Sequence, residues 1–388
     1  MGRKVAIVGA GLSYTKAVRD DVSLPGLIKE AVQNCLDDAE LEVKDIEAFV
    51  YGSSPEPFHG TNWPDLWLGD ATGAYMKPFF RLAGSGIISA EAAFAGYYLV
   101  SSGMFDVVMV TCGEQLSPSE EGLQHGGRFS GDNTYYSPYF SGSLAMYAPH
   151  ATAYLWKYGY TREQMSVVAV KDRKNALKNP YAHLKSKVTL EEVMKSPMLA
   201  TPLTRLDCCP TSDGTGAMIL ACEEKAEKIA RMPAWIKAAV ISHHAWRLPA
   251  IDYADPPPAL IEAAQRAYQI VGIKDPLKEI DVVEMYSPFS FFEPIMMEGL
   301  LFWPNGEALK HIVEGATSMH GEIPVNPSGG PMATNPVGPT SMIRIIEAAM
   351  QVMGKAGAHQ IPGAKTALAT GFGGYSQFHT VCIVSSTK

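Results

Sequence analysis

Apolar residues along the chain fall into two kinds of run, and their alternation predicts a layered fold of strands and helices. Val5-Ala6-Ile7-Val8 is a short apolar stretch halted by Gly9-Ala10-Gly11, which reads as a strand entering a tight turn. Leu27, Ile28, Ala31, Val32, Cys35 and Leu36 recur at the spacing of one helix face, so a helix is expected over 24–39. The β-branched and aromatic residues of 45–52 predict a strand closed by Gly52 and Ser53. A long polar connection then leads to Gly84-Ser85-Gly86, a small-residue helix over 89–102 and a strongly apolar strand over 106–112. Such a continuous apolar run suits a strand covered on both faces.

The second half repeats this order. A strand is expected over 234–242, then a helix over 258–271 with Leu260, Ile261, Ala264, Ala267 and Tyr268 on one face. A strand over 279–286 follows, then the Gly turn Ser328-Gly329-Gly330 and a helix over about 339–353. The strand 365–371 runs into Gly373-Gly374, and a last strand covers 380–385. The match is visible locally: Leu27-Ile28-Lys29-Glu30-Ala31 parallels Leu260-Ile261-Glu262-Ala263-Ala264, and Tyr51 and Tyr286 end corresponding strands. Two β-α-β-α-β halves with right-handed crossovers make this an α/β chain. The expected organisation is an N-terminal half over 1–116, a loop domain inserted at 117–232, and a C-terminal half over 233–388. The inserted block opens rich in Gly, Ser and Tyr and is long enough to shape a substrate pocket.

Composition narrows the possible partners. With 388 residues, 47% apolar and 19% charged, the chain has ample material for large cores. A net charge of −8 argues against a nucleic-acid partner, since phosphate binding needs clustered Lys and Arg. No run of about 18 apolar residues occurs, so no membrane span is expected. The apolar stretch behind Met1-Gly2-Arg3-Lys4 is too short for a signal peptide, and a cytoplasmic location is the default expectation. The six cysteines form no C-x-x-C pair, and Cys208 and Cys209 are adjacent, so no metal site is expected. Reduced, mostly buried thiols are the plainer reading.

Gly9-Ala10-Gly11 after a strand invites a dinucleotide reading, but Tyr14 stands where G-x-G-x-x-G needs its third glycine. Other segments are more specific. Thr161-Arg162-Glu163-Gln164 and Val168-Ala169-Val170-Lys171-Asp172-Arg173 precede Asn179-Pro180. Leu206-Asp207-Cys208-Cys209-Pro210-Thr211-Ser212-Asp213-Gly214 precedes an apolar strand. Val325-Asn326-Pro327-Ser328-Gly329-Gly330 leads to Asn335-Pro336-Val337-Gly338. Together they resemble the thiolase superfamily, in its sterol-carrier-protein-x and lipid-transfer branch, over nearly the whole chain. The resemblance implies the thiolase fold, a duplicated five-layer α-β-α-β-α arrangement with an inserted loop domain. It also implies a homodimer, an acyl-CoA substrate, no permanently bound cofactor beyond coenzyme A as part of that substrate, and a possible small zinc-ribbon/OB-fold partner protein.

Active thiolases use a Cys nucleophile at a helix N-terminus, a His base in a G-H-P segment, a second Cys in a late Gly-rich loop, and a His or Asn at a strand end. This chain departs at each place. Its nucleophile segment, Arg81 to Ser89, holds no Cys; Ser85 fills the slot, with Ser89 as the alternative register. Thr334-Asn335-Pro336 stands for G-H-P, Tyr286 occupies the strand-end slot, and the late loop 370–375 has lost its Cys. A serine without its base is a poor acyl-enzyme nucleophile. Tyr286 offers a phenol that donates a proton to a developing oxyanion, or acts as a base if its pKa is lowered. Some relatives with Tyr in this slot cleave C–C bonds by retro-aldol reaction, although they carry a second Tyr that this chain lacks. Gly373, Gly374 and Asn335 would stabilise the enolate.

The expected function is therefore making or breaking a C–C bond in an acyl-CoA thioester without a Cys acyl-enzyme. A non-catalytic thiolase-like scaffold subunit, and acyl transfer to a carbon nucleophile, are the alternatives. His320 and His59 are candidate pocket groups, Arg128 beside His125-Gly126-Gly127 a candidate phosphate contact, and Tyr135, Tyr136, Tyr139, Phe289, Phe291, Phe292 and Trp303 a candidate apolar lining. Plainer roles stand beside these: a helix cap for Ser85, a turn residue before Pro336 for Asn335, a strand-end ring for Tyr286, and core packing for the aromatics.

Overall fold

The computed structural model describes residues 2–55, 63–118, 142–245 and 254–388. Its strands are β1 Val5–Leu12, β2 Ala48–Ser53, β3 Phe79–Ala83, β4 Val107–Glu114, β5 Met198–Ala200, β6 Leu203–Thr204, β7 Gly214–Cys222, β8 Ala234–His243, β9 Val282–Glu284, β10 Thr366–Gly373 and β11 Phe378–Ser385. β5 and β6 form a small hairpin. The others form one sheet in the order β3-β2-β4-β7-β1-β8-β11-β10-β9.

That order is a palindrome of parts, which confirms the internal repeat. β2 and β4 pair in parallel, as do β9 and β10. β4–β7 and β7–β1 are antiparallel, as are β10–β11 and β11–β8. Among the described residues the strands of the two halves pair only at Ala6↔Trp235 and Ile7↔Ala234. The outermost parallel strand β3 has, in the second half, a single counterpart bridge between Val283 and Val325.

Side-chain alternation sorts the strands into layers. Val5, Ile7, Val50, Val108, Val110 and Leu220 point to one core, which also takes Ala367, Ala369, Cys382 and Val384 from the second half. Ala6, Val8, Phe49, Met109 and Ile219 point the other way, onto the helix Leu24–Ala39. Leu368, Val381 and Ile383 point onto the helix Pro258–Val271. The shared core is filled by the helices Ile88–Ser101 and Thr340–Met353. The result is five layers, helix-sheet-helix-sheet-helix, as expected. β7 lies within 117–232 yet sits between β4 and β1, so the excursion rejoins the first-half sheet there.

Three local expectations change. Gly9-Ala10-Gly11 is not a turn: β1 runs through it, with a register shift between Ile7 and Gly9. Glycine is needed there because a Cβ at Gly11 would lie 2.3 Å from the Ala31 carbonyl oxygen, where the helix Leu24–Ala39 presses on the strand. The long connection before Gly84 contains the helix Asp65–Thr72 and the edge strand β3, whose partly exposed residues hide the pattern of a buried strand. The strand expected over 279–286 is only Val282–Glu284, because Pro276–Glu279 starts a short helix and residues after Glu284 bond to side chains instead of to a neighbouring strand.

The central helix Thr340–Met353 is buried almost all round, yet carries Arg344, Glu347 and Gln351. Their partners come from other segments. Arg344 Nη1 donates to Glu284 Oε2 at 2.5 Å and to Ser328 Oγ at 2.7 Å. Glu347 meets the His359 ring at 2.9 Å and accepts from Asn179 Nδ2 at 2.9 Å. This polar seam lies directly behind the segment that carries Tyr286.

Candidate functional site

Beyond β9 the chain leaves the sheet, and the next four residues are pinned by other parts of the fold. Met285 N–H donates to Asn326 Oδ1 at 2.7 Å, and Asn326 Nδ2 donates to Ser287 Oγ at 3.0 Å. Tyr286 N–H donates to Thr370 Oγ1 at 3.1 Å. Cys209 N–H donates to the Pro288 carbonyl at 2.8 Å. The two sequence motifs act as clamps here. Asn326 belongs to N-P-S-G-G and adopts φ +51 to reach this chain. Asp207 of L-D-C-C-P accepts from Ser166 Oγ and Ser290 Oγ at 2.8 and 2.9 Å.

The ring of Tyr286 is 4% exposed and packs edge-on against Phe372 at 4.6 Å. Its hydroxyl makes a long 3.4 Å contact with the Val337 carbonyl and lies 3.6 Å from where a Cβ on Gly86 would stand. Burial holds the phenol well above its ordinary pKa, and Cys209 adds to that; the Thr340 hydroxyl beside it pulls the other way. A phenol held above its ordinary pKa stays protonated, which favours donation over proton abstraction.

Asn335 sits in the opposite wall. Its N–H donates to Ser212 Oγ at 3.2 Å, its Oδ1 accepts from Thr340 Oγ1 at 2.8 Å, and its Nδ2 donates to Cys209 Sγ at 3.1 Å. The next turn is strained: Val337, a β-branched residue, holds φ +53. Gly338 is required because a Cβ there would come within 2.5 Å of both Glu114 Oε1 and Ser54 Oγ.

Glu114 is the residue that sequence reasoning missed. It ends β4, is fully buried, and accepts the Ser54 N–H at 3.1 Å and the Gly338 N–H. Burial pushes its carboxyl up from 4.5 to about 8. The folded state thus holds a proton that the unfolded chain releases, so this group's contribution to stability falls as pH rises from about 4.5 to about 8. Glu114→Gln should remove that slope. Relative to the unmodified chain, the variant should gain stability over this window by roughly 1.4 kcal/mol per pH unit at most, read from denaturant melts at several pH values. Parallel curves for the two proteins would refute a protonated Glu114.

Ser85 and the late glycines come together as the family slots suggested. Ser85 Oγ accepts the Gly374 N–H at 3.1 Å, and a Cβ on Gly373 would lie 2.5 Å from that oxygen. Gly374 holds φ +61, and its carbonyl accepts the Tyr147 hydroxyl at 2.8 Å. Ser85 does not cap the helix Ile88–Ser101, which has no side-chain cap bond. Ser89 is buried and accepts the Met342 N–H at 2.9 Å, while Ser341 Oγ donates to the Gly86 carbonyl at 3.0 Å. The N-termini of the two central helices thus converge beside the Tyr286 hydroxyl, giving the site a positive helix-dipole field.

The other candidates separate. Cys209 proves to border the site, but burial pushes its thiol up to about 12, so it carries no thiolate. Phe289 and Phe292 join Tyr147 and Phe372 in an aromatic wall; Phe291 stacks behind it, and Trp303 stacks on His311. His320 lines a different cleft, on the helix Arg162–Ala176. His59, His125, Gly126, Gly127, Arg128, Tyr135, Tyr136 and Tyr139 lie outside the described residues. His183, not singled out before, meets Ser212 Oγ at 2.9 Å one step behind Asn335, and burial lowers its pKa. Among the described residues no group of three or more His, Cys, Asp or Glu is placed to hold a metal, and no helix is long and apolar enough to cross a membrane.

The geometry can be set against known proteins. The family described as "Thiolase, N-terminal domain" matches residues 5–224, and "Thiolase C-terminal domain-like" matches residues 252–386. An acetyl-CoA acetyltransferase of Methanothermobacter thermautotrophicus is 31% identical over 381 residues, covering 96% of this chain and 97% of that protein. Sterol carrier protein 2 of Bos taurus is 28% identical over 394 residues, covering 94% of this chain and 69% of that protein. Among solved structures, one named Ltp2-ChsH2(DUF35) aldolase superposes with a TM-score of 0.85 at 24% identity, covering 99% of this chain and 98% of that one.

Proposed function

Since this chain belongs to the thiolase superfamily, on its sterol-carrier-protein side, we propose that it makes or breaks a C–C bond in an acyl-CoA thioester without forming a cysteine acyl-enzyme. The observation that carries this reading is the protonated Tyr286 hydroxyl, set between two converging helix N-termini where the family would place a nucleophile and a base. Charge that develops on a thioester enolate or on a β-oxygen meets a phenolic donor there. Asn335 orients that wall. Ser85, held by the Gly374 N–H, keeps its own O–H free to turn toward the same oxygen. The aromatic wall around Phe372 suits a bulky acyl group. Glu114 acts through the Val337–Gly338 turn, as a positioning residue.

We assign coenzyme A to the substrate and place the protein's own partner at β3. That strand pairs only with β2 among the described residues, and exposed Trp63, Leu66, Tyr75, Met76 and Phe80 lie near it in sequence. A second copy of the chain would cover this edge and apolar surface. A small zinc-ribbon/OB-fold protein is the other candidate; the structural neighbour's name likewise joins two components.

The test is to incubate the protein with β-hydroxyacyl-CoA and β-ketoacyl-CoA panels, alone and with any co-purifying partner, and to read products and protein mass together. Cleavage of a β-hydroxyacyl-CoA with no change in protein mass is the expected result. A stable acyl adduct on Ser85 would overturn it and restore a thiolase-like mechanism. Absence of both turnover and thioester binding would identify a scaffold subunit.

A further inference from the structure

A second concave surface lies on the loop domain, apart from Tyr286. The helix Arg162–Ala176 turns Met165, Val168, Ala169 and Asp172 inward, and its neighbouring face forms one wall of a cleft of about 390 Å³. Val167 and Val170 make that wall apolar, and Ile312 of the helix Ala308–Val313 and Met319 of the segment after it also line the cleft. The size is that of a pocket for an organic ligand, and its lining follows the usual pattern of an apolar body with few polar groups.

The polar groups are all basic or neutral. Lys171 and Lys174 of the helix and Lys178 of the turn after it line the cleft, as does His320. Lys171 is already committed: its ammonium meets Asp172 at 2.9 Å, Glu293 at 2.8 Å and the Val325 carbonyl at 2.9 Å. Those two carboxylates are fully buried behind it. Lys174 and Lys178 have no such partner among the described residues. Two like charges lining one cleft repel each other. A basic residue in a last helical turn accounts for Lys174 alone, and not for Lys178 beyond the helix end. In a chain of net charge −8, an unneutralised pair of ammonium groups over an apolar trough calls for an anion with an apolar body.

We propose that this cleft binds an amphiphilic anion, with its carboxylate or phosphate head on Lys174, Lys178 and His320 and its chain along Val167, Val170, Ile312 and Met319. The inference is independent of the chemistry assigned to Tyr286. The two sites are nonetheless structural neighbours: Asn175, in the cleft wall, donates to the Asn326 carbonyl at 3.0 Å, and Asn326 pins the chain carrying Tyr286.

Calorimetric titration of the full chain with decanoate, decyl phosphate and decanol tests it. Both anions should bind at least tenfold more tightly than decanol, and decanoate against decyl phosphate separates the two head-group sources. Lys174→Gln with Lys178→Gln should weaken both anions at least tenfold and leave decanol unchanged. Equal binding of decanol and decanoate, or anion binding untouched by the double substitution, would each overturn the proposal.

Discussion

Tyr286→Phe is expected to lower the rate of C–C cleavage or formation by about 100- to 1000-fold, the usual cost of deleting one donor aimed at developing negative charge. The fold should survive. Within the protein the hydroxyl makes the long 3.4 Å approach to the Val337 carbonyl and meets the Thr340 hydroxyl, and the ring's packing on Phe372 is unchanged by the substitution. Stability should therefore stay within about 1 kcal/mol, since little native hydrogen bonding is lost. Thioester affinity should also hold, because the effect belongs to the transition state and not to the bound ground state. The measurement is kcat and KM on whichever thioester turns over, beside a denaturant melt. A Phe variant with unaltered kcat would remove Tyr286 from the chemistry and leave it as a wall residue.

Arg344→Ala should be the most damaging substitution for stability, at about 3–5 kcal/mol. Arg344 is 1% exposed and supplies the cation for Glu284, which is fully buried. Burial by itself raises the Glu284 carboxyl above its usual pKa, and Arg344 is the group that opposes this. Without it a buried carboxylate faces only Ser328 and must either take up a proton or remain unpaired. The damage should also spread. Ser328 bonds to both partners, and its segment includes Asn326, the residue that fixes Met285. Pairing Arg344→Met with Glu284→Gln should recover much of the loss, because no charge is then stranded. Denaturant melts of the single and double variants check this; a double variant no better than the single one would locate the cost in packing instead.

Most of the framework was readable where one local rule dominated. The helices over 24–39 and 258–271 appear with the expected bounds, because an apolar stripe is closed at the N-terminus by proline and at the second helix's C-terminus by Gly272 in a left-handed cap. Strands buried on both faces, such as β4, show as continuous apolar runs. Misreadings arose where tertiary contact overrode local grammar. Gly9 and Gly11 look like turn residues, but they serve the approach of a helix packed across β1. The site divides the same way. Tyr286, Asn335, Ser85, Gly373 and Gly374 came from resemblance slot by slot, and the structure brings their segments together. Glu114, Ser212, His183 and Cys209 were invisible as site residues because their defining contacts span the chain: Glu114 to Ser54 across 60 residues, Ser212 to Asn335 across 123, Cys209 to Asn335 across 126. No window of sequence contains both partners of such a pair.

The thiol of Cys209 has a consequence for the conditions under which this protein can work. Peroxides and alkylating electrophiles attack thiolates, and burial pushes this thiol up to about 12. Cys35, Cys112, Cys208 and Cys382 are likewise raised by burial, and Cys222 is buried in β7. Enzymes that depend on a cysteine nucleophile are silenced by oxidative stress and by haloacetyl poisons. Under the proposed chemistry, a site built around a phenol offers those agents no such handle, so its catalytic lifetime in an oxidising or electrophile-laden cell would be set by the stability of the fold, not by the survival of one sulfur atom.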